Sequence, residues 1–491
     1  MQIKKIMAVT LAATMAAGLV GCGSDGSSAS TGTKTSTASS ATVSSATASG
    51  STSASASGSG SSSSSGSTSL TYGQNDKIVV WTLTKDLEQF ADHYKEKTGN
   101  EVETVVIEPA DYPTKVQTAL MGGESEPDII VGEPQMLQDF YDNGFFEDLD
   151  QFGAQDYADQ VTDYVWKVGQ DADGIQRAIS YQITPAGMYY RRDIATKVFG
   201  TDDPTEIGKL FADYPTILDT ANKLKDAGYR IFASDAEMNY FSGDSAWVVD
   251  NKLNVDQSRY DYMDLAVKLY QDDLTAYASQ WSTLWYQAMS GPIPILTADI
   301  QNGSDDSVNV WDSDNFDEAT KDLPKTEVFA YGLPSWGVLT LRDNVKDTSG
   351  KWGVCSGPSY GFGGGTFIGI SSQSKKKEAA WDFIKFCTLD PDTADWWIET
   401  SQGDVVALKS VLEKHKDDEN PVYGNEKLYS FWLDQATHID YSKVTKYDKV
   451  IGDAWGQAIS SIKTGASDKE TAINTFYDTV HSTYPDLEID R

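Results

Sequence analysis

Basic residues are scarce in this chain. Its 491 residues include 39 Lys and Arg against 73 Asp and Glu, a formal net charge of −34. A surplus of that sign repels a phosphate backbone and an anionic membrane surface, which argues against both as partners. Histidine is rarer: His93, His415, His438 and His481 are scattered, without the spacing of a zinc site. The cysteines are Cys22, Cys355 and Cys387. The last two could pair in an oxidising compartment, but their separation in sequence fixes no geometry. No stretch reaches the ~18 apolar residues of a transmembrane helix. No His-Glu-x-x-His pair and no Walker loop occurs. The Gly361–Gly365 run resembles a nucleotide loop only superficially, because it lacks the lysine and the strand–loop–helix setting. Nothing implies a cofactor or a metal.

What is present begins with a processing signal. Lys4 and Lys5 precede an apolar stretch from Ile6 to Val20, too short and too Ala-rich for a stable membrane span. It ends in Leu19-Val20-Gly21-Cys22, which resembles the lipobox of bacterial lipoproteins. The resemblance implies a signal peptide over 1–21, cleavage before Cys22 and lipidation of its sulfur. From Gly23 to about Leu70 the chain is almost all Ser, Ala, Thr and Gly. Such a composition buries no core and reads as a flexible tether, giving a lipidated-Cys and tether segment over 22–76.

About 415 residues remain, more than one ordinary core and enough for two lobes of about 200 each. Their first part alternates strand and helix signals. Ile78–Trp81, Val102–Ile107 and Asp128–Val131 read as strands. Between and after them, Leu87, Phe90, Ala91 and Tyr94, then Val116, Ala119 and Leu120, then Leu137, Phe140 and Tyr141 fall at helical spacing. Gly99, Gly122-Gly123 and Gly144 stand where those helices should stop. Alternation of this kind predicts an α/β fold with parallel strands and helices on both faces. Its ligands bind outside the strand carboxyl ends, so Thr82–Asp86 and Gly132–Gln135 should face the site. Further on, Tyr229–Ala233 and Val328–Leu333 read as strands, Tyr262–Leu269 and Ala380–Cys387 as helices, and the last ninety or so residues as mainly helical.

The order of signals resembles the bacterial extracellular solute-binding proteins of carbohydrate ABC importers, the group that contains maltose-binding protein. The resemblance is carried by Leu120-Met121-Gly122-Gly123 with Pro127-Asp128-Ile129-Ile130, and by Phe140–Gly144 with Asp148-Leu149. Ala178–Tyr181 with Met188–Asp193, and Trp352-Gly353-Val354 with Gly357-Pro358, Gly364-Gly365-Thr366 and Ala379–Ile384, extend it across the globular part. It implies a two-lobed periplasmic-binding-protein-like fold with a ligand cleft between the lobes. Crossings are expected near Gln182–Gly187, Gly357–Gly363 and Asp404–Lys409. Residues 77–184 plus 364–403 would form lobe one, and 185–363 plus 404–491 lobe two. The implied protein is a monomer that is not an enzyme. It holds a sugar or oligosaccharide and hands it to ABC transporter permease subunits on the outer face of the cytoplasmic membrane, which it touches through its lipid anchor alone. The stretch Gly291–Asp317 and the region around Trp247 depart from the maltose-binding pattern, so the identity of the sugar does not carry over.

A sugar offers an apolar C–H face to aromatic rings and hydroxyls to paired donors and acceptors. Among 13 Trp and 25 Tyr, most serve packing. Trp336, after the strand Val328–Leu333, resembles the family's stacking Trp. Tyr181 lies beside the first crossing, Trp81 ends the first strand, and Trp285 and Trp247 fall in lobe-two segments. Asp86 and Glu133 follow strand carboxyl ends, where a carboxylate can accept sugar hydroxyls or simply offset a helix dipole. Gly364, Gly365 and Thr366 enter lobe one from a crossing and allow close backbone approach. Asp404 starts the third crossing.

Two other readings use the same residues. A glycoside hydrolase needs two carboxylates about 5–10 Å apart across a cleft, which 73 acidic residues satisfy in any loose search. A solute binder for a non-sugar ligand such as a polyamine, peptide or iron is the other; iron binders expose Tyr and His clusters whose spacing is not evident here, whereas a polyamine site would use carboxylates between aromatics.

Overall fold

The computed structural model describes residues 70–490, except 124, 125, 244, 298–315, 317 and 319. The lipobox with Cys22, nearly all of the tether and most of Gly291–Asp317 lie outside the described residues.

Two sheets organise the rest. The first is ordered Val102–Val106, Ile78–Thr82, Ile129–Gly132, Phe367–Ile370, Ile179–Ser180. Its first three strands are parallel, as the alternation predicts, because a helix separates each from the next. Phe367–Ile370 runs antiparallel to both neighbours. Helix Asp86–Thr98 buries Leu87, Phe90, Ala91 and Tyr94 and stops at Gly99, whose φ of 80° lets its N–H reach the Lys95 carbonyl at 2.9 Å. Helix Lys377–Thr388 buries Phe383, Ile384 and Cys387 in the same core. Each Leu, Ile or Phe among them contributes about 1.5–3 kcal/mol of burial.

The second sheet is ordered Trp352–Cys355, Ala186–Arg191, Val328–Pro334, Arg230–Phe232. Only Val328–Pro334 and Arg230–Phe232 are parallel there. This half is mixed rather than parallel, and strands distant in sequence pair directly in it. Helices Gln257–Gln271, Asp448–Lys463 and Lys469–Thr483 pack together beside this sheet. The two lobes are the bodies built on these two sheets.

Chain passages join them. Between Ser180 and Ala186, and between Cys355 and Phe367, the chain leaves one sheet and enters the other. These passages pair with each other and with a third segment. Gly363 N–H donates to the Thr184 carbonyl at 3.2 Å, Ile183 N–H to Val405 at 2.8 Å and Ala407 N–H to Tyr181 at 2.8 Å. The segment 181–185 thus runs between 361–363 on one side and 405–407 on the other.

The cysteines do not pair. Cys355 sits in the second sheet and Cys387 on a helix of the first lobe, and both are buried free thiols. No helix among the described residues is long and apolar enough to cross a membrane.

Candidate ligand cleft

The second lobe presents aromatic rings. Trp336 follows strand Val328–Pro334 and opens helix Gly337–Asn344. It is half-buried, and its indole N–H donates to the Gly363 carbonyl at 3.0 Å. Trp281 lies 5.5 Å from it with the planes tilted by 32°, and the Tyr240 edge meets it at 6.2 Å. Trp281 is 52% exposed and holds a φ of 69°. Tyr286 continues the group, 6.4 Å from Trp281.

The glycine run of the second passage lies against these rings. A Cβ at Gly363 would meet the Tyr240 ring at 2.3 Å, and one at Gly361 would meet the Tyr240 carbonyl at 1.7 Å. Gly364 and Gly365 have φ of 71° and 107°, values that L side chains rarely adopt. Here glycine answers both close approach and backbone conformation. Thr366 is buried, and its hydroxyl lies 3.4 Å from the Gln182 amide.

The first lobe presents carboxylates. Asp86 opens helix Asp86–Thr98, and its Oδ2 accepts from the Tyr181 hydroxyl at 2.9 Å. Burial raises the Asp86 pKa, and the Tyr181 hydrogen bond offsets part of that rise. Glu133 stands immediately before helix Pro134–Asp142 without a side-chain capping bond, and its Oε2 accepts from the Gln135 side-chain amide. Burial raises its pKa as well. Burial is the main cause of a raised pKa at Tyr240, and the charges of Glu237 and then Glu133 add to it, which brings that carboxylate within electrostatic reach of the aromatic group of the opposite lobe. Asp86 and Tyr286 line one pocket, which brings the other carboxylate to the same group.

The family model of the bacterial extracellular solute-binding proteins matches residues 89–423. This chain belongs to that family. No curated protein sequence matches the chain. Among solved structures, the ABC transporter associated binding protein from B. animalis subsp. lactis Bl-04, in complex with β-1,6-galactobiose, is 20% identical with a TM-score of 0.64, covering 85% of this chain and 100% of that one. Maltose-bound MalE3 of T. maritima is 16% identical at a TM-score of 0.62, covering 83% and 99%. The GacH receptor of Streptomyces glaucescens GLA.O is 14% identical at 0.61, covering 85% and 100%. At such identities the likeness establishes the shared two-lobed fold. The family is one of solute binders rather than enzymes.

Within this solute-binding protein, several expected cleft residues prove to be packing. Tyr181 is 2% exposed and lies between Phe90 and Trp397, at 4.9 and 5.8 Å. It positions Asp86 and has no free face for a sugar. Trp285 is 0% exposed, and its indole donates to the Glu237 carboxylate at 2.6 Å. Trp247 carries the Arg259 guanidinium 3.8 Å from its ring centre and packs against Trp455 and Phe476. Asp404 is 1% exposed; it accepts from Trp397 Nε1 at 2.7 Å and from the Val405 N–H at 2.9 Å. Burial, which outweighs the Trp397 bond, raises its pKa to about 6. Trp81 is half-buried against the first-lobe core.

Sequence reasoning passed over Trp281, Tyr240 and Tyr286. The one local signal is Ser279-Gln280-Trp281-Ser282, a large ring among polar residues, which is an unusual setting for a core Trp. It also passed over Gly357-Pro358-Ser359-Tyr360-Gly361, which has the spacing of a nucleophile elbow. That segment is part of the second passage rather than a strand-to-helix turn, and the Ser359 hydroxyl points to the Phe241 carbonyl at 3.5 Å.

Proposed function

We propose that this protein is an extracellular carbohydrate-binding lipoprotein that captures a sugar or oligosaccharide by cleft closure and delivers it to an ABC transporter permease. One observation carries the reading: Asp86 of one lobe and Tyr286 of the other line a single pocket, and Tyr286 belongs to the ring group of Trp281 and Trp336. Trp336, Trp281 and Tyr240 offer apolar faces to C–H groups, while Asp86 and Glu133 accept hydroxyls. A cleft with rings but no acceptors would suit an apolar ligand; one with acceptors alone would suit a cation.

In this reading residues 77–184 with 364–403 move as one lobe, and 185–363 with 404–491 as the other, about the three paired passages. Cys22 carries the lipid and 22–76 is the leash, so a monomer works at the outer face of the cytoplasmic membrane. The resemblance of Leu19–Cys22 to a lipobox supports the anchor.

A thermal-shift screen of the tether-free protein against mono- and oligosaccharides, with polyamines as a parallel arm, tests the ligand class, because a ligand stabilises the folded state by mass action. Stabilisation by a saccharide is expected. Stabilisation by polyamines alone would replace the sugar with an amine. For the anchor, Cys22→Ala should abolish membrane retention of the processed protein; retention with normal acylation would refute it.

A further inference from the structure

The lobes also touch through side chains, apart from the three passages. Between helices Leu428–Ala436 and Asp448–Lys463 of the second lobe the chain turns over 437–447. Two aspartates brace this turn. Asp440 accepts from the Ser442 N–H at 3.1 Å and from its hydroxyl at 2.6 Å. Asp448 accepts from the Thr445 N–H at 3.1 Å and from its hydroxyl at 2.5 Å. The Tyr447 ring meets the Tyr484 ring edge-on at 5.0 Å, which ties the turn to the end of helix Lys469–Thr483.

From this braced turn two side chains meet the first lobe. Lys446 Nζ lies 3.0 Å from Asp142 Oδ2, on the last residue of helix Pro134–Asp142. Asp139, one turn back on that helix, adds its charge toward Lys446. In return, Lys167 of helix Asp163–Val168 holds its ammonium 5.1 Å from the centre of the Tyr441 ring, a cation–π contact. The contact is open to water. Lys446 and Asp142 keep 45% and 44% of their side chains exposed. A cavity of about 360 Å³ lies beside them, lined by Asp139 and Asp142 from one lobe and by Tyr447 and Tyr484 from the other. Parting these side chains therefore empties no core, whereas the passages are covalent and cannot part.

We propose that the turn is an electrostatic latch, a reversible lobe-to-lobe contact that holds the unliganded protein in the arrangement of this structure and lets go as the lobes move. It takes from the reading above only the motion of the lobes about the passages, and it needs no ligand. An ion pair this exposed is weak, so the latch biases the balance of arrangements about two- to fivefold rather than locking it. That weakness suits the role, because a bound solute has only to exceed it. Salt screens it, since the Debye length falls from about 30 Å at 0.01 M to about 3 Å at 1 M. The resting opening between the lobes thus follows the ionic strength of the surroundings.

The test is double electron–electron resonance on the unliganded chain from residue 22 onward, with Cys22→Ser. Spin labels go to Asp92→Cys on the first lobe and Asn474→Cys on the second, both exposed helical positions. Cys355 and Cys387 are buried and stay unlabelled. Lys446→Glu and Asp142→Lys each bring like charges together, and each should change the population at the distance of this structure by at least about twofold. The double variant Lys446→Glu/Asp142→Lys re-forms the pair with its polarity reversed and should restore that population. Raising salt from about 0.01 to 1 M should release the wild type in the same direction as the single variants. Melting curves check folding; if one single variant misfolds the other decides, and if both do, the wild-type salt series decides. A population that stays put in the folded single variants, a double variant that moves as far as the two singles together, or a wild type indifferent to salt would each overturn the latch. Sugar binding stands or falls separately, on the thermal-shift screen.

Discussion

The second lobe meets the cleft with rings, Trp336, Trp281, Tyr240 and Tyr286; the first meets it chiefly with carboxylates, Asp86 and Glu133. The two kinds of group impose different costs on the unliganded protein. A ring on a rigid strand–helix junction needs no partner to keep its shape. A carboxylate that burial pushes above its ordinary pKa is short of hydrogen-bond donors, and a sugar hydroxyl supplies one. In the proposed reading the ring wall therefore takes the sugar first, and the carboxylates engage as the lobes close.

The sharpest way to test this contrast is to cut behind the wall and then into it. Trp285 and Trp336 are both aromatic residues of the second lobe, yet one is sealed and the other half-open. Trp285→Ala should cost about 3–5 kcal/mol of stability, the range for emptying a large buried side chain. Chemical denaturation of the unliganded protein would measure it. A loss below about 1 kcal/mol would mean that the indole is not part of the core.

Trp336→Ala comes next. It removes one ring face from the sugar, on the order of 1–2 kcal/mol and hence roughly a five- to thirty-fold loss of affinity. The melting temperature without ligand should change little. Unchanged affinity together with a lower melting temperature would move Trp336 from the wall into the core and shift the stacking role to Trp281.

The smallest expected effect is a slope. Glu237 lies behind the wall, bonded to Trp285, and burial raises its pKa from 4.5 to about 8. A carboxyl that holds its proton longer in the folded state than in the unfolded one loses stability as pH rises between those two values. Melting temperature should therefore decline from pH 5 to 8 less steeply in Glu237→Gln than in the wild type. Equal slopes would mean that Glu237 ionises at its ordinary pKa.

These residues also show what a sequence can reveal. The helices and parallel strands of the first lobe are legible because their signals are local: apolar spacing at Leu87, Phe90 and Tyr94, then a stop at Gly99. The insertion of Phe367–Ile370 beside Ile129–Gly132 leaves no such trace, since pairing across more than two hundred residues has no period. At the cleft, the rule of strand carboxyl ends leads to Asp86 and Glu133, and the structure places both at helix starts. Nearness to a crossing leads equally to Tyr181, but a backbone position does not specify which way a side chain turns, and this one turns inward to Phe90. Trp281 escapes because a single turn with a positive φ at a non-glycine residue carries no sequence mark.

The place of Phe367–Ile370 in the first sheet also sets a schedule for biosynthesis. Ile179–Ser180 has no partner in that sheet until this later strand is made. The ribosome reaches it roughly 190 residues after Ser180, about 10–40 s at about 5–20 residues per second. Throughout that interval the apolar edge Ile129–Gly132 is open on one side, the kind of edge that recruits other chains. The nascent protein thus needs shielding, by a chaperone or by export before folding, for as long as its own sequence keeps the missing strand in reserve.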